Sequence, residues 1–544
     1  MKTYHIGYFL VAGLLAGGCR QGYSKNASHR DVSDEAIARG AVLARTYCGS
    51  CHELPTPGML DANSWEQGVL PQMGPRLGIF QYRNNRYPNN IGDPNVGRKA
   101  YPDSALLSAQ DWGAIVAYYT ALAPDSLGKQ QRDVAIVEDT TRFRVEDPGP
   151  GVPVSEAGRG GPMSDAGPPA TCFIRYEDRL GEVVTSDILR HTLDIWDKGL
   201  SREKSLQMGG AVVDMIQDSA GYFVCNIGPF GPNNAPAGHV DRLGIPVAVA
   251  ASGRPLPIVA DSLIRPVALA GGDLNGDGLP DLVVSEFGYI RGELAWLENK
   301  GGGRYEKRVL RDAPGAVRTV IEDYNGDGLP DIWALFAQGD ESLMLYINKG
   351  HGRFEAQRVL RWPPCYGSSY FELDDLNKDG FPDILYTCGD NGDYSQVLKP
   401  YHGVYIYMND GRGHFNQGYF FPMNGCYRAM ARDFDGDGDL DIACIAYFAD
   451  FRGQPEEGFV YLENEGRGAV PPSGKGAGRF RPYSVPGTQR GRWITMDVAD
   501  ADGDGRPDIL LANCSVGPGF IKGAADWKKG PAFVVLHNRM GGVR

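Results

Sequence analysis

A chain of 544 residues exceeds what one hydrophobic core usually supports, so more than one folded unit is expected. With 42% hydrophobic and 22% charged residues the composition is that of a globular protein, and the net charge of −13 argues against a nucleic-acid partner. Ten cysteines are too few for a disulfide-stapled scaffold, while 74 glycines favour short strands joined by tight turns.

At the N-terminus, Lys2 precedes an apolar run over 6–16 that is too short to span a bilayer of about 30 Å, so it reads as an export signal. The run ends in Ala16-Gly17-Gly18-Cys19. Small residues before a cysteine resemble a bacterial lipoprotein signal, here residues 1–18. That resemblance implies lipidation of Cys19 and a membrane anchor on the periplasmic side. An ordinary cleaved signal peptide is the other reading, and both imply export. Arg20, where Asp would suggest inner-membrane retention, directs the expectation to the outer membrane. Residues 19–32 are polar and are expected to be a tether.

From Ser33 the pattern is helical. Ser33 can cap, Asp34 and Glu35 suit the positive helix end, and Ile37, Ala41, Leu43 and Ala44 give an apolar face. This helix runs into Cys48-Gly49-Ser50-Cys51-His52. The spacing C-x-x-C-H sets two thiols to bond the vinyl groups of one haem, with the His52 imidazole reaching the iron. A thioredoxin-like dithiol would need a βαβ context, and none surrounds these residues. For the sixth iron ligand, no other histidine occurs between His52 and His191. Met59 lies only seven residues past His52, whereas Met73 lies 21 residues on and is the candidate by elimination. A core methionine with an open iron site remains the alternative. A second helix is predicted from Ser108, with Asp111 completing a capping box; Trp112, Ile115, Tyr119 and Leu122 lie near helical spacing and Pro124 ends it.

A helix entering C-x-x-C-H and a closing amphipathic helix resemble a class I cytochrome c domain over residues 33–128. The resemblance implies a small all-α unit with its terminal helices packed together and one covalent haem c exposed to a redox partner protein. Residues 129–170 are expected to be a linker, since 147–170 contains six Gly and six Pro.

Beyond the linker a nine-residue pattern occurs five times: Asp273-Leu-Asn275-Gly-Asp277-Gly-Leu279-Pro-Asp281, then at 323–331, 375–383, 433–441 and 500–508, spaced 50, 52, 58 and 67 residues apart. Such a period signals one supersecondary unit per repeat. Oxygen ligands at positions 1, 3, 5 and 9, with a backbone carbonyl at 7, suit Ca²⁺. The second loop offers Asp323, Asn325, Asp327, Leu329 and Asp331. The third offers Asp375, Asn377, Asp379, Phe381 and Asp383. The fourth offers Asp433, Asp435, Asp437, Asp439 and Asp441, and the fifth Asp500, Asp502, Asp504, Arg506 and Asp508. An EF-hand needs Glu at position 12, where Val284, Ala334, Tyr386, Cys444 and Leu511 stand. Short apolar runs flank every loop, so each loop is predicted as the turn of a hairpin. A trailing marker, Trp296-Leu-Glu-Asn299 and its counterparts ending at Asn348, Asn409 and Asn464, predicts a second hairpin and hence a four-stranded blade.

This combination resembles the FG-GAP (VCBS-type) repeats of integrin-α-like β-propellers over residues 171–544. In that family such loops bind Ca²⁺, so up to five ions are implied, with weaker binding where Asn replaces Asp. Two further blades are expected in 171–260, around Phe173-Ile-Arg-Tyr and Tyr222-Phe-Val-Cys, giving a seven-bladed ring. Outside Cys19, Cys48 and Cys51, seven cysteines remain; Cys444 reads as a buried free thiol, and the spacing leaves a Cys365–Cys426 bridge open.

The fold class expected is therefore multidomain: a small all-α unit followed by an all-β propeller. The function expected is electron transfer by an exported mono-haem protein whose calcium-binding propeller docks a protein or carbohydrate ligand. A periplasmic dehydrogenase with the haem as acceptor, or an adhesion scaffold, are the alternatives, and no paired acid/base constellation stands out to mark an enzyme. The segments 388–401 and 448–458 should emerge opposite the calcium loops. There Asp390, Asp393, Tyr394, Tyr401 and His402 would offer a polar, aromatic binding face, ordinary long turns being the other reading.

Overall fold

The computed structural model describes residues 22–97, 100–148, 167–244, 256–392, 394–466, 479–517 and 527–541. The signal 1–18, Cys19, Asp393 and most of the Gly/Pro-rich segment lie outside the described residues. Among the described residues no helix is long and apolar enough to cross a membrane.

The N-terminal unit is helical. Helix α1 (Asp34–Tyr47) starts as predicted, with Ser33 Oγ accepting the Ala36 N–H. A π-helical stretch, Ser64–Val69, leads into α2 (Leu70–Arg76), which the sequence reading had not foreseen. Helix α3 (Ala109–Leu122) is capped by Ser108, whose hydroxyl oxygen accepts the Asp111 N–H at 3.1 Å. Helices α1 and α3 cross closely because Gly40 has no side chain; a Cβ there would overlap the Ala114 carbonyl. The core beneath them joins Trp112, Ile115 and Tyr119 to Leu60, Trp65 and Leu70. Its polar edges are satisfied: Trp65 Nε1 donates to Pro57 O at 2.8 Å and Tyr119 Oη to Pro55 O at 3.2 Å.

The remainder is a seven-bladed β-propeller of antiparallel sheets. Each blade has strands a to d counted outward. Blades one and two begin at Thr171–Glu177 and Val212–Asp218, and the strands Thr171–Glu177 and Gly221–Asn226 carry the two segments expected there. Blades three to seven begin at Pro266–Gly272, Ala316–Glu322, Ser368–Asp374, Cys426–Arg432 and Trp493–Ala499. Strand b of each of these five starts on the ninth residue of its acidic loop, as in Asp281–Glu286 and Asp441–Ala446. All six residues of such a strand are buried, because neighbouring blades cover both faces. Strands a meet around the axis, and Trp493–Ala499 closes the ring against Thr171–Glu177.

The ring closure corrects the expected boundaries. Phe143–Glu146, placed by sequence in a linker, is strand d of blade seven and pairs antiparallel with Phe533–Asn538. Val137–Glu138 adds a parallel fifth strand to blade six beside Phe480–Ser484. Drawing a strand from the far end of the chain completes the last blade as a four-stranded sheet and covers the edge of Phe533–Asn538.

A second correction concerns the proposed binding face. In the antiparallel blades the a–b loops and c–d turns share one face and the b–c and d–a connections the other. The latter face is covered by the helical unit. Tyr401 Oη donates to Met59 O at 3.1 Å, Arg291 to Asn95 O at 2.9 Å, and Asn234 to Asp93 at 2.9 Å. Gly68 presses so closely on Tyr394 that a Cβ would overlap its carbonyl oxygen. His402 is buried, and its carbonyl accepts from Gln130 at 2.7 Å. Polar and aromatic residues there form an internal interface. The nine described cysteines are all free thiols, so Cys365 and Cys426 are not bridged. Cys365 faces the helical unit, 3.9 Å from Met59 Sδ, while Cys426 opens the inner strand of blade six.

Candidate functional sites

The first site is the turn after α1. Cys48 ends the helix with its N–H on Ala44 O, and Cys51 N donates to Cys48 O at 3.3 Å. Both thiols therefore leave one tight turn, Cys48 half-buried and Cys51 exposed. The His52 ring sits 2.8 Å from the Glu53 carbonyl oxygen through Nδ1. A carbonyl only accepts, so Nδ1 carries the proton and the Nε2 lone pair is free. Burial lowers the His52 pKa, which keeps the imidazole neutral and able to ligate a metal. Burial also pushes the Cys48 thiol up to about 11, the opposite of what an exchanging dithiol needs.

A haem bound through two thioethers and one imidazole is the group this motif implies. The donor set fits: paired thiols from one turn, then a neutral, oriented histidine. Met73, on α2, packs on the apolar cluster that also receives Cys48. Met59 reaches the same cluster, but its sulfur lies against Cys365 at the junction with the propeller.

The second set of sites is the five acidic loops. Each folds by the same hydrogen bonds. The first aspartate accepts backbone N–H groups from later in the loop, as Asp273 does from Gly276, Asp277 and Gly278, and Asp500 from Gly503, Asp504 and Gly505. The third-position side chain accepts from the fifth N–H, and the fifth-position carboxylate from the seventh, through Leu279, Leu329, Phe381, Asp439 and Arg506. Carboxylate oxygens therefore turn inward together. In the fourth loop Asp433, Asp435 and Asp437 bring one oxygen each within 4.8 Å of one another, and in the fifth Asp500, Asp502 and Asp504 do so. In the first and third loops the Asn275 and Asn377 amides donate to Asp277 and Asp379, easing the repulsion the extra carboxylate would bring. Between loops, Lys378 pairs with Asp439 at 2.6 Å.

The ninth aspartate does something the sequence did not reveal. Asp281, Asp331, Asp383, Asp441 and Asp508 are fully buried. One carboxylate oxygen accepts the N–H of the second loop residue, and the other accepts the N–H of the hairpin asparagine: Asn299, Asn348, Asn409, Asn464 and Asn538, at 2.7–2.8 Å. The trailing Asn is thus the partner of the loop. The fifth copy, Asn538, has Val535 and Leu536 where the other four copies place Trp296, Tyr346, Tyr407 or Tyr461. Burial pushes Asp383 up to about 6 and Asp441 to about 7, so a nearby cation would relieve a real cost at neutral pH.

Comparison with known proteins agrees with this repeat. Residues 273–334, 323–386 and 375–444 each match the FG-GAP-like repeat family, and residues 427–462 match the FG-GAP repeat. The chain is 28% identical over 148 residues to integrin alpha-4 of Xenopus laevis, covering 24% of this chain and 14% of that one. Identity to integrin alpha-PS5 of Drosophila melanogaster is 31% over 140 residues, 23% of this chain and 14% of that one. Integrin alpha pat-2 of Caenorhabditis briggsae is 26% identical over 248 residues, 40% and 18%. The chain thus spans less than a fifth of the length of these relatives. Among solved structures, BBS1N in complex with ARL6DN aligns with a TM-score of 0.41 at 10% identity, over 73% of this chain and 97% of that one. The N-terminal domain of Nup159 aligns at 0.40 and 11%, over 75% and 100%. Residues 273–462 of this chain match FG-GAP repeats and lie in a seven-bladed β-propeller.

Proposed function

We propose that the chain is an exported electron carrier: a mono-haem c-type cytochrome unit docked on a calcium-binding FG-GAP propeller. The observation that carries this reading is the Cys48/Cys51 turn followed by a neutral His52 whose Nδ1 is tied to Glu53. Cys48 and Cys51 would hold the haem covalently, His52 Nε2 would ligate the iron, and Met73 is the candidate on the other side. Once bound, the haem supplies one-electron Fe(II)/Fe(III) chemistry. The protein orients that group: Glu53 fixes the histidine tautomer, and Arg361 pairs with Glu53 at 3.6 Å to lean the turn on the propeller. The five loops hold up to five Ca²⁺ on the opposite face, where partner proteins or carbohydrates have access. Cys19 anchors the chain in a membrane, by its lipoprotein-like signal the outer one.

The partner is tested by mixing. Reduction of the purified haem protein only by a second redox protein supports the carrier; reduction by a small substrate alone converts the reading to a dehydrogenase. The FG-GAP repeats favour a second reading, a ligand-binding or adhesion scaffold. Retention of ligand binding by a Cys48→Ala/Cys51→Ala chain would favour it.

A further inference from the structure

Blade seven is set apart from the other four loop-bearing blades by the residue before its hairpin asparagine. The residue before the hairpin asparagine is Glu298, Ile347, Met408 and Glu463 in blades three to six, and His537 in blade seven. The His537 side chain is only 10% exposed, yet neither ring nitrogen makes a hydrogen bond of good geometry. Its Nδ1 points into the fifth loop, 3.3 Å from Asp502 Oδ2 and 3.4 Å from Asp508 Oδ2, and the three ligand atoms lie within 4.8 Å of one another. Its Nε2 lies 3.0 Å from Glu146 Oε2, on the strand that closes the ring.

We propose that Asp502, Asp508 and His537 Nδ1 bind a divalent transition-metal ion of the zinc class, with Glu146 as the positioning residue. Calcium takes oxygen ligands, whereas an imidazole beside two carboxylates suits zinc. Glu146 can accept the Nε2 proton, which leaves the Nδ1 lone pair for the metal; this is the carboxylate–histidine–metal arrangement found around bound zinc. The calcium alternative is weakened in this loop alone by Arg506, whose guanidinium pairs with Asp504 and donates to Asn538 O at 3.0 Å. That positive charge partly offsets the Asp504 carboxylate, which still clusters with Asp500 and Asp502, while Asp502 and Asp508 also face His537. The ion would join residues from both ends of the propeller sequence, His537 near its end and Glu146 ahead of blade one, so it would pin the ring closure. The proposal is independent of the haem; it gives the fifth of the up to five cation positions to a transition metal and leaves calcium to the other four loops.

The test uses the full chain, stripped with chelator and dialysed against Zn²⁺ in a large excess of Ca²⁺, with bound metals counted by mass spectrometry. One Zn²⁺ per chain should remain. His537→Phe, which keeps a buried ring but no ligand, should lose it, and Glu146→Gln should weaken Zn²⁺ binding by about 10–100-fold without changing the calcium count. Co²⁺ in place of Zn²⁺ should give visible absorption that Asp502→Asn abolishes, a readout that survives if His537→Phe fails to fold. No retained Zn²⁺, or retention unchanged in both Asp502→Asn and Glu146→Gln, would overturn the proposal and leave His537 as a counter-ion to three carboxylates.

Discussion

Tyr401 donates its hydroxyl hydrogen to the carbonyl of Met59 at 3.1 Å, and this bond crosses from the b–c connection of blade five to the helical unit. The Cys365 carbonyl lies 3.3 Å from the same hydroxyl, and the Tyr401 ring stacks on Tyr366 at 4.9 Å. The turn that bears Cys48, Cys51 and His52 is therefore held against the propeller and not left on a free module. Tyr401→Phe keeps the stacking and removes the donor. It should cost about 1 kcal/mol of docking, read as several-fold faster proteolysis of the 123–137 connection. Cleavage at the wild-type rate would show that the two units dock through other contacts.

Gly40 sets the approach of α1 to α3. A Cβ would meet backbone, the Ala114 carbonyl, which cannot rotate away. Gly40→Ala should therefore destabilise the helical unit by about 2 kcal/mol, although alanine is the better helix former. A variant that melts at or above the wild-type temperature would contradict the crossing.

The ninth aspartates and the outer loop carboxylates should separate in their response to calcium. Asp441 accepts from Asn464 at 2.7 Å, from Phe434 at 3.2 Å and from the Tyr461 hydroxyl at 2.7 Å. Asp441→Ala strands these buried donors and should cost about 3 kcal/mol with or without calcium. Asp435→Asn keeps the loop hydrogen bonds and should lower the melting temperature only in calcium. Equal losses from both variants in chelator would assign Asp441 no role beyond that of Asp435.

Asp374, at the end of the inner strand of blade five, carries a pH signature. Burial, then the neighbouring Glu372 carboxylate, push its pKa up to about 7 against the opposing pull of Arg432. The native state then holds the proton more tightly than the unfolded chain, whose aspartates titrate near about 3.9. Its stabilising contribution is full below that value and is lost as pH rises toward 7. Asp374→Asn stays neutral throughout. It should match the wild type at pH about 4 and melt a few degrees higher at pH about 8. The same offset at both pH values would rule out this titration.

Much of this architecture is local and so was legible in the chain. The caps at Ser33 and Ser108, the five acidic turns and the apolar runs after them all fell where the sequence put them. What escaped depends on partners far away. Phe143–Glu146 is four residues long and half charged, and its strand partner lies almost 400 residues on. Pro71 and Pro75 hid α2, which continues from the π-helical stretch Ser64–Val69 with the Leu70 N–H donating to Trp65 O. Tyr394, Tyr401 and His402 have the composition of an exposed binding face, but residues 59–68 dock on Tyr401 and Tyr394, and His402 is buried with its carbonyl accepting from Gln130. His537 stands out only once the hairpin asparagines of all five blades are aligned.

The claim on which the functional reading turns is that porphyrin iron is bonded to Cys48 and Cys51. The direct measurement is the intact mass of the full chain made in a host competent for cytochrome maturation, with its colour followed through acid–acetone extraction. A red protein, heavier by one haem and still red after extraction, is the expected result, with Cys48→Ala/Cys51→Ala colourless. A wild-type chain at the unmodified mass, or a pigment that passes into the acetone, would contradict it.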